Sequence, residues 1–151
     1  VNLAELERLE GNETASVAQL QAALSLEPGA VWVRYALGLA HYRAGDPAAA
    51  LRELERAARE GPGEPRLILG WALALDAVGE RRSAIQALAE SVDGDGASGE
   101  VRQALVTLLR DAGDTEKALT RAREWSRAEP TETRARALVE ALERPGSQRQ
   151  P

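Results

Sequence analysis

Residues 45–51 read GDPAAAL, and this short phrase decides the fold. A glycine just past a helix can take φ > 0 and close it. Asp46 can then cap the next helix, and Pro47 suits the first helical position, where its missing N–H is not needed. The phrase therefore reads as helix, tight turn, helix. It returns as GERRSAI from Gly79 and GDTEKAL from Gly113, with a fainter copy, GNETASV, from Gly11, at a constant spacing of 34 residues. Pro28, Pro62 and Pro130 share that period as helix breakers, and Gly96 fills the remaining slot.

These markers predict helices near 1–10, 13–26, 30–44, 47–60, 65–78, 81–92, 99–111, 115–128 and 131–143. Within 47–60, Ala50, Leu51, Leu54, Ala57 and Ala58 recur at helical spacing, with Arg and Glu on the opposite side. The first helices, VWVRYALGLAHY from Val31 and LILGWALALDAVG from Leu67, are apolar nearly all round. Such helices need cover on more than one side, which stacked helix pairs supply. The expected fold is all-α, a right-handed α-solenoid of antiparallel helix pairs. Composition agrees: the chain is rich in Ala and Leu, strong helix formers, and has no Phe, Met or Cys.

A 34-residue helix-turn-helix unit resembles the tetratricopeptide repeat family, with its pattern W-x2-L-G-x2-Y, A-x3-F, Ala and Pro. One copy keeps Leu37, Gly38, Gly45, Ala50, Leu54, Ala57 and Pro62. The next keeps Gly79, Ala84 and Leu88, with Trp71 and Ala72 in the Leu-Gly slots. The third keeps Leu105, Gly113, Ala118 and Pro130, with Ala122 in the Phe slot and Trp125 in the second Ala slot, a large-for-small exchange. The departures are the Trp slot, holding Arg34, Ile68 and Arg102, and the Tyr slot, holding His41, Leu75 and Leu109. The resemblance implies a repeat domain over 1–143, with units about 1–30, 31–64, 65–98 and 99–132 and a capping helix at 131–143. Residues 144–151 read as a flexible tail.

The chain's chemistry is sparse. Net charge is −5, without the basic stripe of a nucleic-acid domain. The run LILGWALAL is nine residues, far short of the ~20 needed to span a bilayer. His41 is the sole histidine, in an apolar helix, and reads as structural. A metal site would need further ligands. DGDGASGE from Asp93 resembles a calcium loop, but Ala97, Ser98 and Ala104 occupy the fifth, sixth and twelfth positions, so the match fails. No phosphate-binding glycine loop occurs. The reading is a non-enzymatic chain without cofactor, metal site, nucleic-acid partner or membrane insertion.

The resemblance implies a groove lined by the first helices, at positions 2, 5, 9, 12 and 13 of each unit. Here these include Trp32, Tyr35, Leu39, Tyr42 and Arg43, then Arg66, Leu69, Leu73 and Asp76, then Gln103, Thr107 and Arg110. The family's clamp for chaperone tail carboxylates needs Lys, Asn and further bases. One register supplies Tyr35, Leu39, Gly70, Glu100 and Ala104; the other supplies Val1, Glu5, Ala36, Arg66 and Gly70. Neither fits. An apolar, aromatic groove edged by arginine instead suits a protein or peptide with apolar anchors. Two other readings stand beside it: Trp32, Tyr35, Leu69 and Leu73 close the core, or the patch pairs with a second copy in a homodimer. The alternative function is a structural or oligomerisation module of a larger bacterial protein. VNLAEL, YALGLAHYRAG and LLRDAGDTEKAL resemble the repeat tails of multihaem cytochromes, although no CxxCH is present. Arg outnumbers Lys 18 to 1, as in GC-rich bacterial genomes, and a start at Val reads as a fragment. The compartment expected is bacterial cytoplasm or periplasm.

Overall fold

The structure is a computed structural model that describes the backbone of residues 3–94 and 97–144 and the side chains of 12–94 and 97–144. Among these residues there are helices and no strand: α1 (Leu3–Leu26), α2 (Val31–Arg43), α3 (Pro47–Glu60), α4 (Pro65–Ala77), α5 (Arg81–Asp93), α6 (Gly99–Asp111), α7 (Thr115–Ala128) and α8 (Thr133–Glu143). Gly96 and the segment 145–151 lie outside the described residues. The chain divides into two compact units, Val1–Ala84 and Ile85–Pro151, with the division inside α5.

The turns repeat in detail. Gly45, Gly79 and Gly113 have φ of +78°, +85° and +84°. At each, the next residue's N–H reaches back five residues: Asp46 to the His41 carbonyl, Glu80 to Leu75 and Asp114 to Leu109, at 2.8–2.9 Å. The glycine N–H bonds the carbonyl three residues back at Tyr42, Asp76 and Arg110. This double closure satisfies carbonyls that a helix end would leave bare. Asp46 then caps α3, accepting from the Ala49 N–H at 2.9 Å. Asp114 occupies the same place before α7, but its carboxylate accepts chiefly from Lys117 Nζ, at 2.5 Å.

One expectation fails at the N-terminus. The sequence predicts helices at 1–10 and 13–26 on either side of Gly11; the backbone is instead one helix of 24 residues, α1. The flanks, LAELERLE and TASVAQLQAAL, are strong helix formers. A single interior glycine costs only about 1 kcal/mol relative to alanine, so the helix runs through it.

In the first unit α2 packs against α1, α3 and α4, and α3 also packs against α4. In the second, α7 packs against α6 and α8, and α6 reaches α8. α2 and α6 thus each meet both their own partner and the next first helix. Small residues set the spacing: Ala50, Ala57, Ala84, Ala118 and Ala122 are fully buried. A Cβ at Gly38 would stand 2.5 Å from Leu54 Cγ, so α2 and α3 approach as closely as they do because residue 38 has no side chain. Ala135 is the buried residue of α8, which suits a terminal helix with one wet side.

Arg34, in the family's Trp slot, is 3% exposed. Its guanidinium donates from Nε to Glu60 Oε2 at 3.0 Å, from Nη1 to Glu53 Oε2 at 3.1 Å and from Nη2 to the Pro28 carbonyl at 2.6 Å. The fork thus ties α2 to the middle and the last residue of α3 and to the loop after α1. Arg102, two repeats on, does a looser version, donating to the Ala97 carbonyl at 3.4 Å with Glu129 at 3.6 Å. In the second unit Trp125, 1% exposed, lies against Gly99, and the Arg134 guanidinium sits 5.9 Å from its ring centre. That contact absorbs the large residue in a small slot.

Candidate functional site

The first-helix positions fall into two groups, one in each unit. On α2, Trp32, Tyr35, Leu39 and Tyr42 are spaced by three, four and three residues, which makes one stripe along the helix. Arg66, Leu69, Leu73 and Asp76 repeat that spacing on α4. Because α2 and α4 pack together, the two stripes are neighbours.

Their exposure divides them by role. Trp32 is 50% exposed, Leu73 44% and Tyr42 36%. Tyr35 and Leu39 are half-buried and pack against the core of Ala50, Leu54 and Ala74. Tyr35 also reaches the cluster of Ala57, Ala58 and Leu67. Leu69 is half-buried. Trp32 and Tyr35 meet edge to face, with ring centres 5.8 Å apart and planes at 85°. Tyr35 thus anchors Trp32 from below and holds its indole partly in solvent, a geometry that favours aromatic pairs.

The charged members also differ. Asp76 receives Arg81 Nε at 2.6 Å and is thereby neutralised. Arg43 is exposed and stands 4.0 Å from Glu13. Arg66 is exposed and makes no ion pair among the described residues, so a cation lies open beside the apolar stripe. On α6, in the second unit, Gln103 and Arg110 are exposed and Thr107 is half-buried; Arg110 pairs with Asp111 at 2.9 Å.

Leu26, 90% exposed at the end of α1, falls outside the groove positions of the repeat because it lies on a second helix of the pattern. The second unit carries a shallow cleft of about 190 Å³ between Ile85, Ala89, Leu105, Leu109 and the polar Lys117, Thr120 and Arg121. Its cations are engaged, Lys117 by Asp114 and Arg121 by both oxygens of Asp93 at 2.6 and 3.0 Å. Accordingly the Asp93 carboxyl is held below its ordinary range by the Arg121 hydrogen bonds, against the opposing pull of burial. Among the described residues no group of three His, Cys, Asp or Glu could hold a metal ion, and no helix is long and apolar enough to cross a membrane.

Residues 8–69 match the family model of the tetratricopeptide repeat. That segment carries the tetratricopeptide-repeat pattern. The fold agrees along nearly its whole length. The crystal structure of MamA is similar at 17% identity, covering 94% of this chain and 83% of that one, with a TM-score of 0.70. A thermophilic tetratricopeptide-repeat protein of Thermus thermophilus is similar at 21% identity, covering 93% and 77%, with a TM-score of 0.68. YrrB, described as a tetratricopeptide-repeat protein with an unusual peptide-binding site, is similar at 20% identity, covering 93% and 70%, with a TM-score of 0.62. No curated protein sequence matches significantly. The repeat chain has the all-α solenoid class of fold that its 34-residue period implies.

Proposed function

We propose that this repeat chain is a non-enzymatic interaction module whose α2–α4 face takes a peptide or helix of a protein partner. The observation that carries this reading is the trio Trp32, Tyr42 and Leu73, large apolar side chains a third to a half exposed on neighbouring first helices. A monomer gains nothing from holding an indole half in water, whereas aromatic anchors seated on a firm base are typical of binding hot spots. Arg66 beside them favours a ligand with an acidic residue next to its apolar anchors. The printed description of YrrB as peptide-binding supports a peptide as the ligand class. Gln103, Thr107 and Arg110 of α6 are proposed as a further, more polar contact of the same kind.

Panning a random peptide library against the purified chain tests this. Enriched peptides are expected to carry aromatic or aliphatic anchors with an acidic neighbour. Trp32→Ser combined with Leu73→Ser should weaken their binding at least tenfold while far-UV circular dichroism stays unchanged. Peptides that bind this double variant as tightly as the parent would reject the face.

A further inference from the structure

From Asn12 to Leu26, α1 holds one charged residue, Glu13; the matching stretch 46–60, the cap and body of α3, holds four acids and three arginines. A helix so poor in charge calls for cover on more than one side. Among the described elements it has cover on one. Glu13, Val17, Leu20 and Leu24 are half-buried, and α2 is the element packed on α1. Ala15, Gln19, Ala23 and Leu26, spaced by four, four and three residues, form a stripe on another side. All four are exposed, Leu26 to 90%.

The 34-residue register says what fits there. The counterparts of that stripe are Ala49, Glu53, Ala57 and Glu60 of α3. This is the side of α3 on which α2 lies: Arg34 reaches Glu53 and Glu60, and Gly38 lies against Leu54. Ala49 and Ala57 are buried there. The stripe of α1 thus has the form of a seat for a first helix. We propose that it takes, from a separate protein, a helix with a large apolar residue in the slot of Arg34 and a small one four positions on, in the slot of Gly38. Gln19 and Leu26 replace the two glutamates, so the residue that meets them must be apolar. That is the arrangement on α4, where Ile68 holds the first slot and Ala72 the second. The proposal goes beyond the α2–α4 face and does not depend on it.

A second copy of this chain offers no such helix. Its α2, α4 and α6 are engaged within its own units, with Leu37, Leu67 and Leu105 buried. Its last described helix, α8, has Arg136 and Glu140 in the two slots. Laid on the stripe, these would set a guanidinium against Leu26 and a carboxylate against Leu20. The nearest charge, Glu13, lies on the other side of α1, 4.0 Å from Arg43. Unpaired charges buried in this way oppose the contact.

Peptides copied from the chain's own first helices supply the probes. Residues 65–78 carry Ile68 and Ala72; residues 31–44 carry Arg34 and Gly38. Each is dye-labelled, given a hydrophilic uncharged tail and titrated with the chain, and fluorescence anisotropy is read. The 65–78 peptide should bind, and the 31–44 peptide at least tenfold more weakly. Gln19→Glu with Leu26→Glu, both at exposed positions, recreates the acids of α3 and should reverse that order while far-UV circular dichroism stays unchanged. Trp32→Ser with Leu73→Ser should change neither affinity, which separates this seat from the α2–α4 face. Failure of the 65–78 peptide to bind, or binding that the double glutamate variant leaves as it was, would overturn the proposal. So would a dimer in light scattering that Leu26→Glu abolishes, since a second copy would then fill the seat.

Discussion

The ring of Tyr35 lies across Gly70, where an added Cβ would come 2.7 Å from Cε2. This contact seats α2 on α4. It also explains why Tyr35, although on the exposed stripe, belongs to the core as much as to the site. Gly70→Ala should therefore lower stability, by about 1–3 kcal/mol of overpacking less the roughly 0.5–1 kcal/mol that alanine gains in a helix. Gly38→Ala should cost more, since its Cβ meets Leu54 Cγ at 2.5 Å and the Leu54 backbone nitrogen at 3.2 Å, and backbone does not rotate aside. Urea unfolding of both variants checks the order; a stabilised Gly38→Ala would contradict the packing.

Arg34→Met should destabilise by roughly 3 kcal/mol, the lower end for a broken buried pair, because Glu53 and Glu60 keep some access to water while the Pro28 carbonyl loses its donor. The Glu60 carboxyl is held below its ordinary value of 4.5, first by the Arg56 hydrogen bond and then by Arg34, against the opposing effect of burial. A carboxyl depressed in the folded state adds stability above its unfolded pKa and loses it as pH falls through the folded one. Stability should thus decline below about pH 4.5, and Arg56→Gln should flatten that decline. Chemical denaturation between pH 3 and pH 7, a range chosen to bracket roughly the carboxylate values, measures both effects.

Asp46 and Asp114 hold the same sequence position but act differently. Asp46→Ala removes a side-chain cap and should cost about 1 kcal/mol. Asp114→Ala removes chiefly an exposed pair with Lys117, so its loss should be smaller and should vanish in high salt. Thermal unfolding with and without 1 M salt, where screening acts within about 3 Å, separates the two.

The three tryptophans give distinct signals. Trp32 is half exposed and Trp125 is 1% exposed. Acrylamide should quench the parent strongly and Trp32→Phe much less. Trp125→Ala should leave quenching of Trp32 intact but cost about 3–5 kcal/mol, since it empties the space under Arg134 and against Gly99. A Trp32 signal as protected as that of Trp125 would remove the candidate site.

Helix ends are legible wherever the chain marks them locally. The bounds of α3, α6 and α7 fall at the expected residues, because glycine, cap and proline act within four positions of one another. Gly11 misleads because the same glycine without a neighbouring helix to meet is simply tolerated. The site is legible as positions but not as exposure. Whether Tyr35 faces solvent depends on Gly70, which it touches in space but which lies 35 residues along the chain. Arg34 stands out as a misfit in an aromatic slot; its partners lie 19 and 26 residues further on, beyond any local pattern.

The guanidinium in that slot has a consequence for temperature. An aromatic residue there would hold the helices by burial, whose benefit levels off on heating, whereas the dehydration that opposes an ion pair becomes less costly as the solution warms. The clamp of Arg34 on Glu53 and Glu60 therefore gains weight, relative to the surrounding alanine and leucine contacts, as heat is applied. The first unit is braced best under the conditions that most threaten it.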